Sequence, residues 1–469
     1  MNSAVLRLAP RRESLQSALA AFRAADVDRC LAILDRYDGA EADALRARCL
    51  VRAGRPDDAL SLLTKIDASA LSHRAASELL ILRFMAAIAA GEDDVAESAM
   101  LDAKVRSYGV GSNELESELH FYTATFAWTQ GRYSDATSEL SLLIAHETTI
   151  PSWLVEKSNT YAFNRGYWLA RAYELLAMTA ALEGNFAGQA SLLLRAFEEY
   201  DRAQCVDIRI EASMLSNLAV LVRDLQTPEL AVFIRERTES LSWNEWLDEY
   251  RFLVWRALGW CSALSGDHLG GLRQFRASAE IAPTKPQRIA ALLDRAFIAG
   301  QLDEKFFAQE ELELACRLTK EVDWENSPRS DRMVLLEVAR SLVGVDVQLA
   351  RRLLDKYFSL RSSFSSLEAY AKDRRRRGEE CMAIAAVVRA EGQLDRATML
   401  FEEAYRIWSA IGYAWRAATV ALELFTLTGE ATYLDVVARE ADARPLSWIA
   451  KRYAAVALED PKAYVRGRP

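Results

Sequence analysis

The side chains that most often carry catalysis or hold metals are sparse in this chain. There are four histidines among 469 residues, and no two of them have the spacing of metal ligands on one helix. The sequence also lacks a GxxxxGK phosphate-binding loop and a GxSxG nucleophile elbow. We therefore predict a protein that is not an enzyme and that needs neither a cofactor nor a metal ion.

A run of consecutive arginines is a candidate binding site for an anionic partner. The stretch KDRRRRGEE contains a block of consecutive arginines from Arg374 to Arg377. Guanidinium groups bind carboxylates and phosphates, so this block is a candidate contact for an acidic peptide, a phosphate or a nucleic-acid backbone. Four consecutive residues spread over every face of a helix, however, and cannot all face one ligand. The alternative is a solvated helix whose arginines pair with Glu368, Glu379 and Glu380.

Aromatic residues are concentrated in one part of the chain, with six in the 18 positions from Trp243 to Trp260. We expect most of them to fill the core between helices and the rest to anchor a partner. Trp153 belongs to a long segment that is either a partner-binding insertion or a locally packed loop. The candidate partner contacts are, in chain order, Trp153, Trp243, Trp246, Arg256, Trp260, Arg374, Arg375, Arg376 and Arg377.

The overall charge limits the class of partner. The chain has 58 basic and 67 acidic residues, a net charge of −9. This balance argues against direct nucleic-acid binding and against binding to anionic membranes. We expect a protein or peptide partner, with a small signal molecule as an alternative.

Cysteine usage and hydropathy predict a cytoplasmic protein. The six cysteines include no CxxC pair and lie in apolar helical runs, as buried thiols in a reducing compartment would. The N-terminal apolar run is too short for a signal peptide. The most apolar stretch, LLILRFMAAIAAG, contains Arg83, so it predicts a core helix rather than a membrane span.

The elements that position these side chains are predicted to be paired helices. Trp255, Leu258 and Gly259 are spaced three and four apart and therefore share one helical face. Gly266 then permits a turn, and a second helix containing Phe275 runs to Pro283. Small residues on the facing sides let the two helix backbones approach closely.

The same pattern recurs along the chain as glycine followed five positions later by alanine. It occurs at Gly54, Gly91 and Gly131, with spacings of 37 and 40 residues between these glycines, and again at Gly392. Further turns are expected at Gly184, Thr227–Pro228, Gly300, Gly344 and Gly429. Capping-box-like patterns at Ser242, Asn113 and Ser365 and a candidate N-cap at Asp26 mark helix starts.

These units resemble tetratricopeptide repeats (TPR). The resemblance implies an all-α, right-handed α-solenoid of about ten to eleven helical hairpins, each packed against its neighbours. Some TPR proteins hold a C-terminal carboxylate with a lysine, arginine and asparagine clamp, and that pattern is missing here. The residues that carry the resemblance are Trp255, Leu258, Gly259, Gly266, Phe275, Pro283, Gly131, Tyr133, Ala136, Gly392 and Ala397.

The expected organisation is one long repeat array with short flanking segments. We predict an N-terminal extension over 1–12, the array over 13–442, a C-terminal capping helix over 443–460 and a basic tail over 461–469. The end of an uncapped array can pair with itself, so a homo-oligomer is an open alternative.

The function predicted from the sequence is that of a regulatory interaction protein with a peptide or protein partner in its groove. The alternative is the ligand-sensing helical region of a bacterial transcription regulator, because irregular arrays of this kind resemble those of LuxR-type and MalT-like proteins. The tail PKAYVRGRP resembles a linker to a DNA-binding domain, but no helix-turn-helix follows it in this chain.

Overall fold

The computed structural model describes most of the chain. The described residues are 9–23, 26–107, 110, 112–149, 165–203, 207–225, 227–246, 248–302, 304–327, 333–361, 373–443 and 453–454. Across them the structure contains 22 α-helices and no strand, the number that eleven consecutive helix pairs require. The predicted all-α fold class is therefore confirmed.

The helices follow one another with short connections. Two short 3-10 helices, Ala68–Ala70 and Trp243–Glu245, lie between them. In chain order the α-helices are α1 Ala9–Arg23, α2 Val27–Leu34, α3 Ala40–Arg52, α4 Pro56–Thr64, α5 His73–Ala90, α6 Asp93–Ser107, α7 Asn113–Thr129, α8 Tyr133–Thr149, α9 Arg165–Glu183, α10 Phe186–Ala203, α11 Ile208–Leu225, α12 Pro228–Glu239, α13 Asp248–Leu264, α14 His268–Ile281, α15 Lys285–Gln301, α16 Lys305–Lys320, α17 Val334–Leu342, α18 Val347–Arg361, α19 Arg374–Ala390, α20 Leu394–Ala410, α21 Ala414–Thr428 and α22 Ala431–Ala443.

The chain divides into two compact units. The first unit comprises residues 1–179 and 191–211, and the second comprises 180–190 and 212–469. In the first unit, Phe84 of α5 and Phe126 of α7 meet edge to face, with ring centroids 5.8 Å apart, inside a core shared with α6. In the second unit, a core extends from Phe252 on α13 to Val387 on α19.

The glycine turns explain why the helices end where they do. A left-handed backbone conformation closes a helix at little cost only for glycine, since other residues carry a Cβ. Seven of the predicted turn glycines have φ between +70° and +86°: Gly54, Gly91, Gly131, Gly184, Gly266, Gly392 and Gly429. These turns are confirmed.

Several local predictions fail for reasons that the structure makes clear. Gly300 lies inside α15, which ends instead at Leu302. Ser242 precedes a 3-10 helix without capping it, and α13 begins six residues later. Asn113 is the first residue of α7 rather than its N-cap. Asp26 is confirmed as the N-cap of α2, accepting a hydrogen bond from the Arg29 backbone N–H.

The α13–α14 hairpin shows the packing that the repeat resemblance implies. A Cβ added at Gly259 would lie 2.6 Å from the Phe275 ring, so the ring occupies the space that only glycine leaves. A Cβ added at Gly271 would lie 3.0 Å from the Gly259 carbonyl oxygen, so the two helix backbones are also close together at this point. Ala136 and Ala397, the small residues of two other hairpins, are fully buried.

Each unit also contains contacts between parts of the chain that are far apart in sequence. In the first unit, Arg52 of α3 lies 2.7 Å from the carboxylate of Asp207, just before α11. In the second unit, Phe186 stacks on Tyr413 with ring centroids 4.2 Å apart. The expectation that each hairpin packs only against its neighbours is therefore incomplete, because these pairs join distant hairpins.

The predicted flanking segments fall mostly outside the described residues. Of the proposed capping helix over 443–460, the structure describes Ala443, Tyr453 and Ala454, and the tail over 461–469 is not described. Helix α1 begins at Ala9, inside the predicted N-terminal extension. Among the described helices, none combines the length and the hydropathy needed to cross a membrane.

Candidate functional site

A cavity of about 690 Å³ lies in the second unit, lined mainly by the first helices of successive hairpins. These are α11, α13, α15, α17, α19 and α21. α11 and α13 contribute one residue each, and the other four helices contribute several; on α17, for example, Glu337 and Arg340 are three positions apart, about one helical turn. The wall is therefore built by side chains from well-separated parts of the sequence.

Aromatic rings form one part of the wall. Trp260 of α13 meets the Phe275 ring edge to face at 5.2 Å, which fixes it against the second helix of its own hairpin. Its centroid lies 6.0 Å from the ring of Phe297 on α15. The Arg223 guanidinium lies 5.8 Å from the Trp260 ring, within cation–π range.

Ion pairs form the rest of the polar lining. Arg223 Nη1 lies 3.8 Å from Glu337 Oε1. Arg256 pairs with Asp294, and Arg389 pairs with Glu423. The Arg256–Asp294 and Arg389–Glu423 pairs join neighbouring first helices of the second unit, whereas the Arg223–Glu337 contact joins α11 to α17, three hairpins further along the chain.

Glu379 differs because it contacts two arginines. Arg340 Nη1 on α17 donates a hydrogen bond to Glu379 Oε2 at 3.1 Å. Arg416 Nη2 on α21 lies 2.9 Å from Glu379 Oε1. The side chain of Arg416 also lies 4.7 Å from the ring of Trp415, measured from its guanidinium carbon. A single carboxylate on α19 therefore bridges the helices on either side of it.

The contacts described above include more arginines than carboxylates. The side chains in these contacts comprise five arginines and four carboxylates, an excess of one positive charge, in a chain whose net charge is −9. In a partly enclosed space such an excess attracts an anionic group more strongly than it would in bulk water.

The electrostatic environment shifts the pKa values of two carboxyl groups of the wall in opposite directions. Burial opposes the ionisation of Glu337, but the surrounding positive charges outweigh it and hold the pKa of this carboxyl below its usual value. Burial raises the pKa of Asp294 above its usual value, against the opposing charge of its partner Arg256. The arginines that act on Glu337 are Arg223, Arg256, Arg340 and Arg416.

A second cavity, of about 530 Å³, lies in the first unit between α1, α3 and α5. Arg48 reaches from its wall to Glu118 on α7, with 2.7 Å between Nη1 and Oε1, and both side chains are buried. Burial raises the pKa of Glu78, which also lines this cavity. Because the second-unit cavity is larger and has a wall from six helices, it is the stronger candidate site.

Comparison with solved structures supports the fold. The apo form of RapI gives a TM-score of 0.54 at 10% identity, with 80% of this chain and 99% of RapI covered. This chain has the TPR-like helical-repeat fold. A Rap protein complexed with competence and sporulation factor gives 0.45 at 13% identity, with 83% and 97% covered. Yeast Tom70 gives 0.38 at 14% identity, with 97% and 95% covered.

The sequence comparisons give no further assignment. No family model matches the chain, and no curated protein matches it. At 10% identity the likeness to RapI establishes the fold alone, so the site must be interpreted from its own residues.

Two of the predicted contact residues belong to the second-unit cavity. Trp260 lines it, and Arg256 holds Asp294 in its wall. Trp243 is buried with its ring edge-to-face against Trp255, 4.9 Å away, as expected for interhelical core. Trp246 is half-buried next to the 3-10 helix. Trp153 lies outside the described residues.

The arginine block forms the first turn of α19, and its four side chains differ in their exposure and in the groups that they contact. Arg374 is exposed, and Arg376 lies 3.6 Å from Asp373. Arg377 lies 3.5 Å from Glu403, and the Arg375 guanidinium lies 5.8 Å from the Phe186 ring. Of the glutamates expected to pair with the block, Glu379 has the contacts described above and Glu380 accepts a hydrogen bond from the Tyr357 hydroxyl. Glu368 lies outside the described residues.

Sequence reasoning missed the charged residues that dominate the cavity wall. Glu337 stands within VLLEVARSL and Arg416 within AWRAATVAL, each in an otherwise apolar helical run. A charge in such a run is costly unless it is paired, so its presence was a usable signal. The signal identifies the residues but not their partners. The described residues contain no group of three or more His, Cys, Asp or Glu side chains that could hold a metal ion.

Proposed function

We propose that this protein is a non-catalytic regulatory interaction protein that binds a short peptide in the second-unit cavity. The observation that carries the proposal is the convergence of six helices on one cavity whose wall combines aromatic rings with arginine and carboxylate side chains. Its volume of about 690 Å³ lies within the ordinary range of ligand pockets, roughly 300–1,000 Å³.

The chemistry of the wall favours binding of a peptide. Trp260 and Phe297 supply apolar surface for a side chain, and the paired charges supply donors and acceptors for backbone and terminal groups. The ion pairs keep these charged groups ordered in the absence of ligand, which lowers the entropy lost on binding. The buried thiols of Cys30 and Cys261 suit a reducing compartment, and we place the protein in the cytoplasm.

The test is an affinity selection on the full chain with a library of linear hexapeptides that have free termini. Retained peptides are identified by mass spectrometry, and the dissociation constants of the best are measured by calorimetry. We expect a family of related sequences that also raises the melting temperature of the protein, since a ligand that binds the folded state stabilises it.

Two phenylalanines provide a matched pair for locating the site. Phe297 lines the cavity and is 37% exposed, whereas Phe306 on α16 is 78% exposed and is not among the lining residues. We expect Phe297→Ala to weaken peptide binding by about tenfold or more and Phe306→Ala to leave it unchanged. Retention of no peptide family, or equal binding by both variants, would overturn the proposal. A thermal shift with small metabolites instead of peptides would favour a ligand-sensing region.

A further inference from the structure

We infer that the second-unit cavity selects peptides by one carboxylate group, which binds between Arg340 and Arg416. This inference rests on the proposed function and specifies the chemistry of its ligand. It places the charged group of the peptide at α17 and α21, and an apolar side chain of the peptide at Trp260 and Phe297.

The first observation is the surplus of hydrogen-bond donors at this point of the wall. Each guanidinium has five N–H donors, and Arg340 and Arg416 both contact the one carboxylate of Glu379. The side chain of Arg416 is only 6% exposed, and its Nε has no hydrogen-bond acceptor in the described part of the chain. The donors that an incoming carboxylate can reach are those that face the cavity, chiefly on Arg340, whose side chain is 29% exposed, and a charge-assisted hydrogen bond to them gains free energy.

The second observation is that two arginines meet at one carboxylate. Arg340 and Arg416 both contact Glu379, and the charge of Glu337 also acts on both of them. Two like charges are therefore held close together at this point of the wall. Burial, reinforced by repulsion from Arg416, lowers the pKa of Arg340 despite the opposing charge of Glu379. A second anion would relieve that repulsion.

The third observation is the shape of the site. Both arginines line the cavity, and so do Trp260 and Phe297. A ligand that fills the cavity therefore meets a cationic pair and an aromatic pair. A peptide with a carboxylate and a bulky apolar side chain satisfies both, whereas a uniformly apolar peptide leaves the arginines without the added acceptor.

The carboxylate has two sources in a peptide: the C-terminus, or an Asp or Glu side chain. The experiment uses four hexapeptide libraries to distinguish them. Two have a C-terminal carboxylate and two a C-terminal amide, and within each pair one library includes Asp and Glu while the other omits them. The library with a C-terminal amide and without Asp and Glu contains no carboxylate and is the negative control. We expect the protein to retain no peptide family from it.

Arginine variants of the full chain locate the contact. We expect Arg340→Gln and Arg416→Gln each to weaken binding of a carboxylate peptide by about ten- to a hundredfold, as for loss of a charge-assisted hydrogen bond. The amide or Asn/Gln analogue of the same peptide should lose little further affinity in these variants. Arg276→Gln is the control: Arg276 is 66% exposed on α14, outside the cavity lining, and its loss should leave binding unchanged.

The outcomes separate this inference from the function on which it rests. If peptides bind but the amide library without Asp and Glu is selected as strongly as the others, the carboxylate inference is overturned and the peptide-binding function stands. If no library yields a bound family, the proposed function fails. Arg416→Gln removes a buried ion pair, so circular dichroism must show that it folds. If Arg416→Gln does not fold, the carboxylate inference is tested by Arg340→Gln, at a less buried residue, and by the library comparison on the unaltered protein.

Discussion

Glu337 illustrates how one side chain depends on charges from several helices. It is the carboxylate whose ionised form is favoured by four arginines of the second-unit cavity, and their combined effect exceeds the cost of burial. A carboxyl with a lowered pKa in the folded state stabilises the fold above its unfolded pKa. That stabilisation is lost as the pH falls through the folded pKa.

We therefore expect Glu337→Gln to destabilise the protein at pH 7 by on the order of 1–3 kcal/mol, because it removes the negative charge that balances the arginines. The difference from the unaltered protein should shrink on acidification, since Glu337 itself becomes protonated there. Urea unfolding from pH 8 down to about pH 3 measures both effects, since the folded-state pKa of Glu337 lies below its ordinary value. Glu280→Gln, on an exposed pair with Arg276, is the control and should stay within about 0.5 kcal/mol. If the difference in unfolding free energy between Glu337→Gln and the unaltered protein grew on acidification, the pKa of Glu337 would not be lowered in the folded state.

Cys30 on α2 and Cys49 on α3 provide a second prediction for individual residues. Both are fully buried, and their sulfur atoms lie 3.1 Å apart. We expect diamide, which accepts two electrons and two protons, to convert this pair to a disulfide when α2 and α3 open locally. The cross-link should stabilise the first unit by about 2–4 kcal/mol.

Peptide mapping without reductant identifies the cross-link. Cys261 has no such thiol neighbour among the described residues, and burial raises its pKa to about 12, so it should remain a thiol. Cys49→Ser should abolish the cross-link at Cys30. If both residues remained free thiols after diamide treatment under conditions where α2 and α3 open locally, the two sulfur atoms would not be as close as described.

At the scale of helices, glycine has two distinct uses. Gly259 faces Phe275, and any Cβ there would displace a buried ring. Gly300 lies near the end of α15, and apart from its chain neighbours and the backbone of its own helix no atom lies within 4 Å of where its Cβ would be. The same substitution should therefore have opposite effects at the two positions.

We expect Gly259→Ala to destabilise the protein by about 1–3 kcal/mol, the range typical of overpacking in a close-packed core. Gly300→Ala should stabilise it by up to about 1 kcal/mol, because alanine loses less conformational freedom than glycine in a helix. Chemical denaturation of the two variants side by side measures both signs. Unchanged stability of Gly259→Ala would contradict the close α13–α14 contact, and destabilisation by Gly300→Ala would contradict the open helical position of that residue.

The helices and their turns could be predicted from the sequence, whereas the residues that line the cavity could not, because the first depend on local patterns and the second on contacts between distant helices. A left-handed glycine turn is a local property, and Gly131 or Gly392 could be recognised from five following residues. The turn predicted at Gly300 was wrong because this residue lies inside α15, where glycine is not needed for the backbone conformation. The Arg340–Glu379–Arg416 contacts span 76 residues and depend on the rotation of three helices, which no local pattern fixes.

At the scale of the whole molecule, contacts between distant segments add to the packing of neighbouring hairpins. A solenoid with nearest-neighbour contacts alone would unfold in segments. The pair of Phe186 and Tyr413 joins positions 227 residues apart within the second unit, and the turn at Gly184 lies against Ile411. Such contacts make the stability of one segment depend on another far along the chain.

We therefore expect Phe186→Ala, at a buried ring, to cost about 3 kcal/mol and to lower the hydrogen-exchange protection of amides both near Phe186 and in α21. Phe275→Ala is the matched control, because its buried ring meets Trp260 at 5.2 Å within its own hairpin. Its effect should stay within α13 and α14 and their immediate neighbours. If Phe186→Ala changed exchange only near residue 186, the distant contact would contribute nothing to stability. A loss of protection in α21 would show instead that the second unit gains cooperativity from it.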